Sequence, residues 1–166
     1  DVNPELKIQD NVNVFRADLA VRESLRDALN GGDTIVHFAG VLFKHNPEKF
    51  LKTTNTLYFK NLLDVAVQKG VKRVILISFP HVEGETTPDH PARGRLDGNP
   101  VSMHARTRLE EERLLFEYGE RRGFEPVALR VGMVYGKGIL MIDAAHWFSR
   151  HALLGVWRKP TYIHLI

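Results

Sequence analysis

Residues 33–40, DTIVHFAG, constrain this chain most. Thr34, Ile35, Val36, His37 and Phe38 are β-branched, aromatic or ring-bearing, and Gly31 and Gly32 punctuate the entry. The segment therefore reads as a short buried strand. Ala39 and Gly40 then make a small-residue turn that a backbone or a flat ligand can approach closely. A long helical pattern follows, then a second buried strand, a second long helix and a third strand. That alternation is the rhythm of a parallel βαβ sheet with flanking helices. In such sheets ligands sit at the carboxyl ends of the strands, which here include His37 to Gly40.

The 166 residues make about one domain. The absence of cysteine excludes disulfides, thiolate metal sites and a cysteine nucleophile. No apolar run approaches the roughly 18 residues of a membrane span. No signal-peptide pattern opens the chain, so the cytoplasm is the default location. The net charge of +3 is small, and Lys72-Arg73, Arg121-Arg122 and Arg158-Lys159 are scattered pairs. They form no basic stripe, which argues against a nucleic-acid partner.

Taken in order, residues 12–15 alternate like a strand, and Asp18 follows them. Residues 21–29 form a short helix with Leu25, Ala28 and Leu29 on one face. Asp18 either caps that helix or serves a ligand. Asn46-Pro47 is a helix start, a capping side chain followed by a proline, and the helix runs to Lys69 with Gly70 as its stop. Leu51, Tyr58, Leu62, Val65 and Ala66 supply its apolar stripe. Asn55 sits within it, either solvated or bridging two segments at a ligand. Residues 71–78, VKRVILIS, read as a strand buried on both faces. Residues 81–100 carry three prolines, three glycines and many charges, and a loop of that length points to function or mobility. Residues 101–122 form the second long helix, with Leu109, Leu114, Leu115 and Tyr118 as core. Glu110, Glu111, Glu112 and Arg113 read as its wet side, and Gly123 ends it. Residues 124–131 give a third buried strand and 131–138 a glycine-punctuated turn. Residues 144–154 read as helix and 161–166 as a strand beginning.

Familiar motifs are missing. No Gly-x-Gly-x-x-Gly precedes a helix, and residues 132–138 have the wrong spacing for a phosphate loop and lack its Ser/Thr. The eight histidines form no metal-ligating pattern. No nucleophile elbow is present.

The order of pieces resembles the extended short-chain dehydrogenase/reductase family, the NAD(P)-dependent epimerases and dehydratases of nucleotide sugars. Asp18-Leu19 resembles the acidic turn on the adenine side of the cofactor. His37-Phe38-Ala39-Gly40 resembles the family's "His-Leu-Ala-Ala/Gly" turn. Asn55 followed by residues 61–66, NLLDVA, resembles "Val-Asn-x-x-Gly-Thr-x-Asn-Leu-Leu-Glu-Ala". Residues 129–136, LRVGMVYG, resemble "Leu-Arg-Pro-x-Asn-Val-Tyr-Gly", and Ile163-His-Leu the start of "Ile-His-Val-x-Asp". The resemblance implies a Rossmann-like α/β fold, with NAD or NADP held by Asp18, Leu19, His37, Phe38, Ala39, Gly40, Asn55 and Val131. It implies a small-molecule substrate such as a nucleotide sugar. It also implies a homodimer through the long helices at 45–69 and 101–122.

The catalytic set departs from the family. Aligning Val82-Glu83-Gly84 with "Val-Tyr-Gly" puts Phe79 at the usual serine position and Ser78 one place earlier. Aligning residues 104–112, HARTRLEEE, with "Tyr-x-x-Ser-Lys-x-x-x-Glu" puts His104 for tyrosine and Arg108 for lysine. Residues four apart on a helix share a face, so His104 and Arg108 could occupy the same space as the usual pair. Histidine does acid–base work near neutral pH, and arginine stays charged but presents a planar fork. Two readings stand: a rebuilt His104/Arg108 pair assisted by Ser78, or a decayed site with ordinary helix residues. Strand alternation places Ser78 and Phe79 on opposite faces, which argues against a simple shift by one.

The family's first βαβ unit has no counterpart before residue 1. Residues 1–140 would then be a partial cofactor-binding domain and 141–166 the start of a substrate-side segment. In the order 3-2-1-4-5-6 the strands at 12–15 and 35–38 would be numbers 3 and 4, and not neighbours. A fragment of a longer protein, an edge covered by another chain, or direct pairing of the two strands would each resolve this. As function, the resemblance implies hydride transfer through a nicotinamide. The alternative is a non-catalytic cofactor-sensing or scaffold protein on the same fold.

Overall fold

The computed structural model describes residues 12–29, 32–41 and 45–132. Strands β1 (Thr34–His37), β2 (Arg73–Ser78) and β3 (Glu125–Arg130) pair in parallel in that order. The register sets Ile35 beside Val74, His37 beside Leu76, and Ser78 beside Arg130. Helices α1 (Arg22–Ala28), α2 (Tyr58–Gln68) and α3 (Met103–Arg122) accompany the sheet. Val74 and Leu76 of β2 share one core with Leu25 of α1, Phe59, Leu62, Leu63, Val65 and Ala66 of α2, and Leu115 of α3. This is the expected Rossmann-like α/β architecture, and no strand precedes β1 among the described residues.

The helix ends follow local chemistry. Gly70 takes φ +69° after α2. Its N–H donates to the Val67 carbonyl and that of Val71 to the Ala66 carbonyl, so the terminal carbonyls are satisfied by a left-handed glycine stop. Ser102 caps α3 by accepting the Ala105 N–H at 3.2 Å.

Four expectations need correction. Residues 12–15 form no strand: Val12, Val14 and Phe15 are about half exposed, and among the described residues β1 pairs only with β2. An apolar alternation without a hydrogen-bonding partner or a face to bury stays irregular. The helix expected from Asn46 is broken. Asn46 sits at φ +56° with no side-chain cap, followed by a 3-10 turn (Pro47–Lys49) and a π-helical stretch (Lys52–Leu57) before α2. Proline disfavours a helical residue before it, and asparagine tolerates the left-handed region. Among the described residues the sheet is fully covered on one face only: Val74, Leu76 and Ser78 are buried, Ile75 and Ile77 half-buried, and β3 is at most half-buried. The wet side of α3 is not wet at Glu111 and Glu112, which are fully buried.

The turn, helix and strand expected beyond residue 132 lie outside the described residues, as does the proposed domain division at 140.

Candidate functional site at the carboxyl edge of the sheet

The site is built where β1 and β2 end and the first turns of α3 pass. His37, the last residue of β1, is buried and its ring stacks 4.8 Å from that of Phe59. Burial first, and the Arg108 charge second, lower its pKa from the usual 6.5 to about 4, so it is a neutral imidazole at pH 7. Phe38 points out, 73% exposed. Gly40 lies directly against Arg108: a Cβ there would stand 2.7 Å from Nη2. The small-residue turn thus admits a close approach, and the approaching group is a side chain of α3.

Arg108 is itself buried and ion-paired with Glu111, with Nη1 2.7 Å from Oε2. The contact is not aligned as a hydrogen bond, and neither carboxylate oxygen of Glu111 has a hydrogen-bond partner. Burial, with Glu112 and Glu110 adding to it against the pull of Arg108, pushes the Glu111 carboxyl up to about 7. His104 lies one turn earlier and is half-buried. Its carbonyl accepts the Thr107 hydroxyl at 3.2 Å, and its ring has no ion-pair or hydrogen-bond partner among the described residues. Ser78 is buried on the helix-covered face with His37 and Leu76, and its Oγ makes no hydrogen bond.

The remaining expected residues sit apart from this group. Asn55, in the π-helical stretch, is buried and donates to Thr107 Oγ1 at 3.2 Å. It bridges two segments of the chain at the turn of α3 between His104 and Arg108. Asp18 is exposed, and its Oδ1 accepts the Ala20 N–H at 2.8 Å, a turn leading into α1 rather than the helix cap itself. The Leu19 carbonyl accepts Asn61 Nδ2, which fastens it to α2. Val131 extends β3 by donating its N–H to the Ser78 carbonyl at 3.0 Å.

Sequence reasoning missed a second cluster. Glu83, in the 3-10 turn after β2 (Pro80–Glu83), has a side chain 1% exposed. It accepts the backbone N–H groups of Arg93, Gly94 and Arg95 and is paired with the Arg130 guanidinium. Burial pushes this carboxyl up, but the three N–H donors and Arg130 outweigh it and hold the pKa below the usual carboxylate value. Arg130 also donates to Glu112 at 2.6 Å and to the Arg95 carbonyl at 2.8 Å. The long loop is therefore a strap fastened at its middle, and Pro80, Thr86, Pro88, Pro91, Ala92 and Arg130 line a cavity of about 480 Å³ beside it. The missed signal was spacing: 105, 108, 112, 115 and 119 form one stripe at helical intervals, and two of those positions are charged.

The group brings small residues, an exposed ring and a cation together at one strand end. Ala39 and Gly40 offer no bulk, Phe38 offers an exposed ring and Arg108 offers guanidinium donors. The chain is 31% identical over 160 residues to a uronate dehydrogenase of Pseudomonas syringae, covering 93% of this chain and 56% of that protein. It spans about half the length of the curated relatives it matches. Among solved structures, UDP-glucose 4-epimerase of Thermus thermophilus in complex with NAD matches with TM-score 0.63 and 28% identity, over 78% of this chain and 43% of that one. RMD of Pseudomonas aeruginosa complexed with NADPH shares the fold with TM-score 0.70 and 23% identity, over 84% of this chain and 51% of that one. A family model matches residues 2–159, and on that match the chain belongs to the NAD dependent epimerase/dehydratase family.

Proposed function

We propose that this chain belongs to a cofactor-binding domain in an NAD(P)-dependent oxidoreductase, epimerase or dehydratase of sugars or nucleotide sugars. The observation that carries the reading is the turn at Phe38–Gly40, at the carboxyl end of β1, with the buried guanidinium of Arg108 laid against it. Ligands of open parallel sheets bind at that edge, and the relatives named above include a uronate dehydrogenase and an epimerase complexed with NAD. Residues 38–40 and Arg108 would hold NAD or NADP. When bound, the nicotinamide supplies the hydride acceptor or donor. His104 would carry the proton to or from the substrate hydroxyl, since a half-buried imidazole without a hydrogen-bond or ion-pair partner among the described residues is available for that work. Ser78 supports this role least, because its hydroxyl is buried within the fold.

The test is calorimetry with NAD and NADP separately, on residues 1–166 and on the product of the whole reading frame. Binding by the longer protein, followed by turnover on uronates or nucleotide sugars, is the expected result. His104→Ala should then lower the rate about a hundredfold; an unchanged rate removes His104 from the mechanism. A second reading, a non-catalytic cofactor sensor or scaffold, is favoured by one observation. Arg108 already has an internal counter-ion and no lysine stands in its place. Dinucleotide binding without turnover on any sugar substrate would establish that reading.

A further inference from the structure

Arg108 rests against the Phe38–Gly40 turn, but its charge is already matched from within. Glu111 is one helical turn away, is 0% exposed, and touches Arg108 at 2.7 Å without an aligned hydrogen bond. A buried carboxylate normally collects two or three donors. The other acid nearby shows the contrast: Glu112 is equally buried and is fully engaged by Arg130. Among the described residues Glu111 has one counter-ion, and that counter-ion is the cation at the candidate cofactor turn.

We propose that Glu111 is a positioning residue: as a carboxylate it holds the Arg108 guanidinium against Gly40, and on taking a proton from solvent it releases that charge to a dinucleotide. This rests on the reading of the turn as a cofactor site. The charged surroundings fit a group that changes state near neutrality. On its own helix Arg108 faces it favourably, while Glu110 and Glu112 oppose its ionisation. Glu110 accepts the Thr56 hydroxyl from the π-helical stretch, and from β3 Arg130 neutralises Glu112. On the β1 side the titratable neighbour of Arg108 is His37, held neutral by burial and by the Arg108 charge. Arg130 also pairs with Glu83 of the turn after β2, so that cation is not free to serve Glu111. A ligand that pairs with Arg108 therefore competes with ionised Glu111, and binding is coupled to uptake of one proton.

The consequence is measurable. Affinity should fall at alkaline pH by no more than about tenfold per pH unit, the limit for one linked proton. The experiment follows the Arg108 Nε–H resonance by nitrogen-15 NMR between about pH 5 and 9, together with NAD and NADP affinity by calorimetry, in the whole gene product. In the parent protein the resonance should move with a single midpoint near neutrality, and affinity should drop across the same range. Glu111→Gln should abolish the midpoint and flatten the affinity at its acid-side value. Glu111→Asp, which keeps the carboxylate, should restore both. A midpoint that persists in Glu111→Gln, or an Arg108 resonance indifferent to pH, overturns the proposal. A titrating resonance with pH-independent affinity also overturns it while leaving the cofactor reading intact. Absence of dinucleotide binding at every pH overturns the cofactor reading itself, and the resonance then decides the Glu111–Arg108 coupling alone. If Glu111→Gln fails to fold, carbon-13 labelling of the Glu111 carboxyl in the parent and in Arg108→Lys replaces it. A midpoint near neutrality that moves when the fork becomes an ammonium supports the proposal, and an unmoved one rejects it.

Discussion

Burial sets protonation at single positions of this chain. His37 has a folded pKa near 4 against an ordinary 6.5. Its lowered value means that the folded state binds fewer protons than the unfolded state in that interval. The stability it contributes is complete above pH 6.5 and is lost as pH falls toward 4, on the order of 3 kcal/mol in all. Glu111 has the opposite sign: its raised value favours folding at low pH, and stability declines as pH rises from 4.5 to about 7. Between pH 4.5 and 6.5 the two slopes oppose and largely cancel, so urea titrations should show His37→Gln uncovering a stability that declines as pH rises; a profile identical to the parent's would place the acid transition elsewhere. His37 was legible as a strand-end residue beside a small turn. The buried acids were not, because a run of Glu110, Glu111 and Glu112 has the composition of a solvated face. For Glu112 the stripe of small and apolar positions on α3 is a signal, but for Glu111 the distinction lies in the placement of its cationic partner, Arg108 one turn back.

Among the elements, local signals were decisive where the chemistry is local. Gly70 and Gly123 each bound a helix as the sequence implies, and Ser102, which the sequence reading placed inside the helix, caps α3 within one turn. Ser102→Ala should remove one cap from α3 and lower stability by about 1 kcal/mol without altering the far end of the helix. Denaturant midpoints with an unchanged m-value would check this, and a loss well beyond that would mean that Ser102 holds more than the cap. The strand at 12–15 failed as an inference for a physical reason. Alternation specifies a face, but a strand needs a neighbour, and the described residues supply none. The break between Asn46 and Tyr58 was equally invisible. Its π-helical geometry is sustained by tertiary bonds such as Asn55 to Thr107 and Thr56 to Glu110, which span more than fifty residues.

Among the described residues the two faces of the sheet differ: helices cover one, and Val36, Ile75, Ile77, Val127 and Leu129 leave the other apolar and partly exposed. A hydrophobic dye should bind residues 1–166 on that face, and Val36→Lys with Leu129→Lys should reduce its fluorescence severalfold while the melting temperature moves little. Undiminished fluorescence would locate the exposed apolar surface elsewhere. No helix among the described residues is long and apolar enough to cross a membrane. The strap over the carboxyl edge behaves differently from the sheet. Glu83 grips it through the main-chain N–H groups of Arg93, Gly94 and Arg95, groups that every residue but proline possesses. Its anchorage is thus largely indifferent to which side chains the strap carries. Mutation can rewrite the wall of the adjoining cavity, and so the choice of what enters it, while the clasp that holds the wall in place is inherited unchanged.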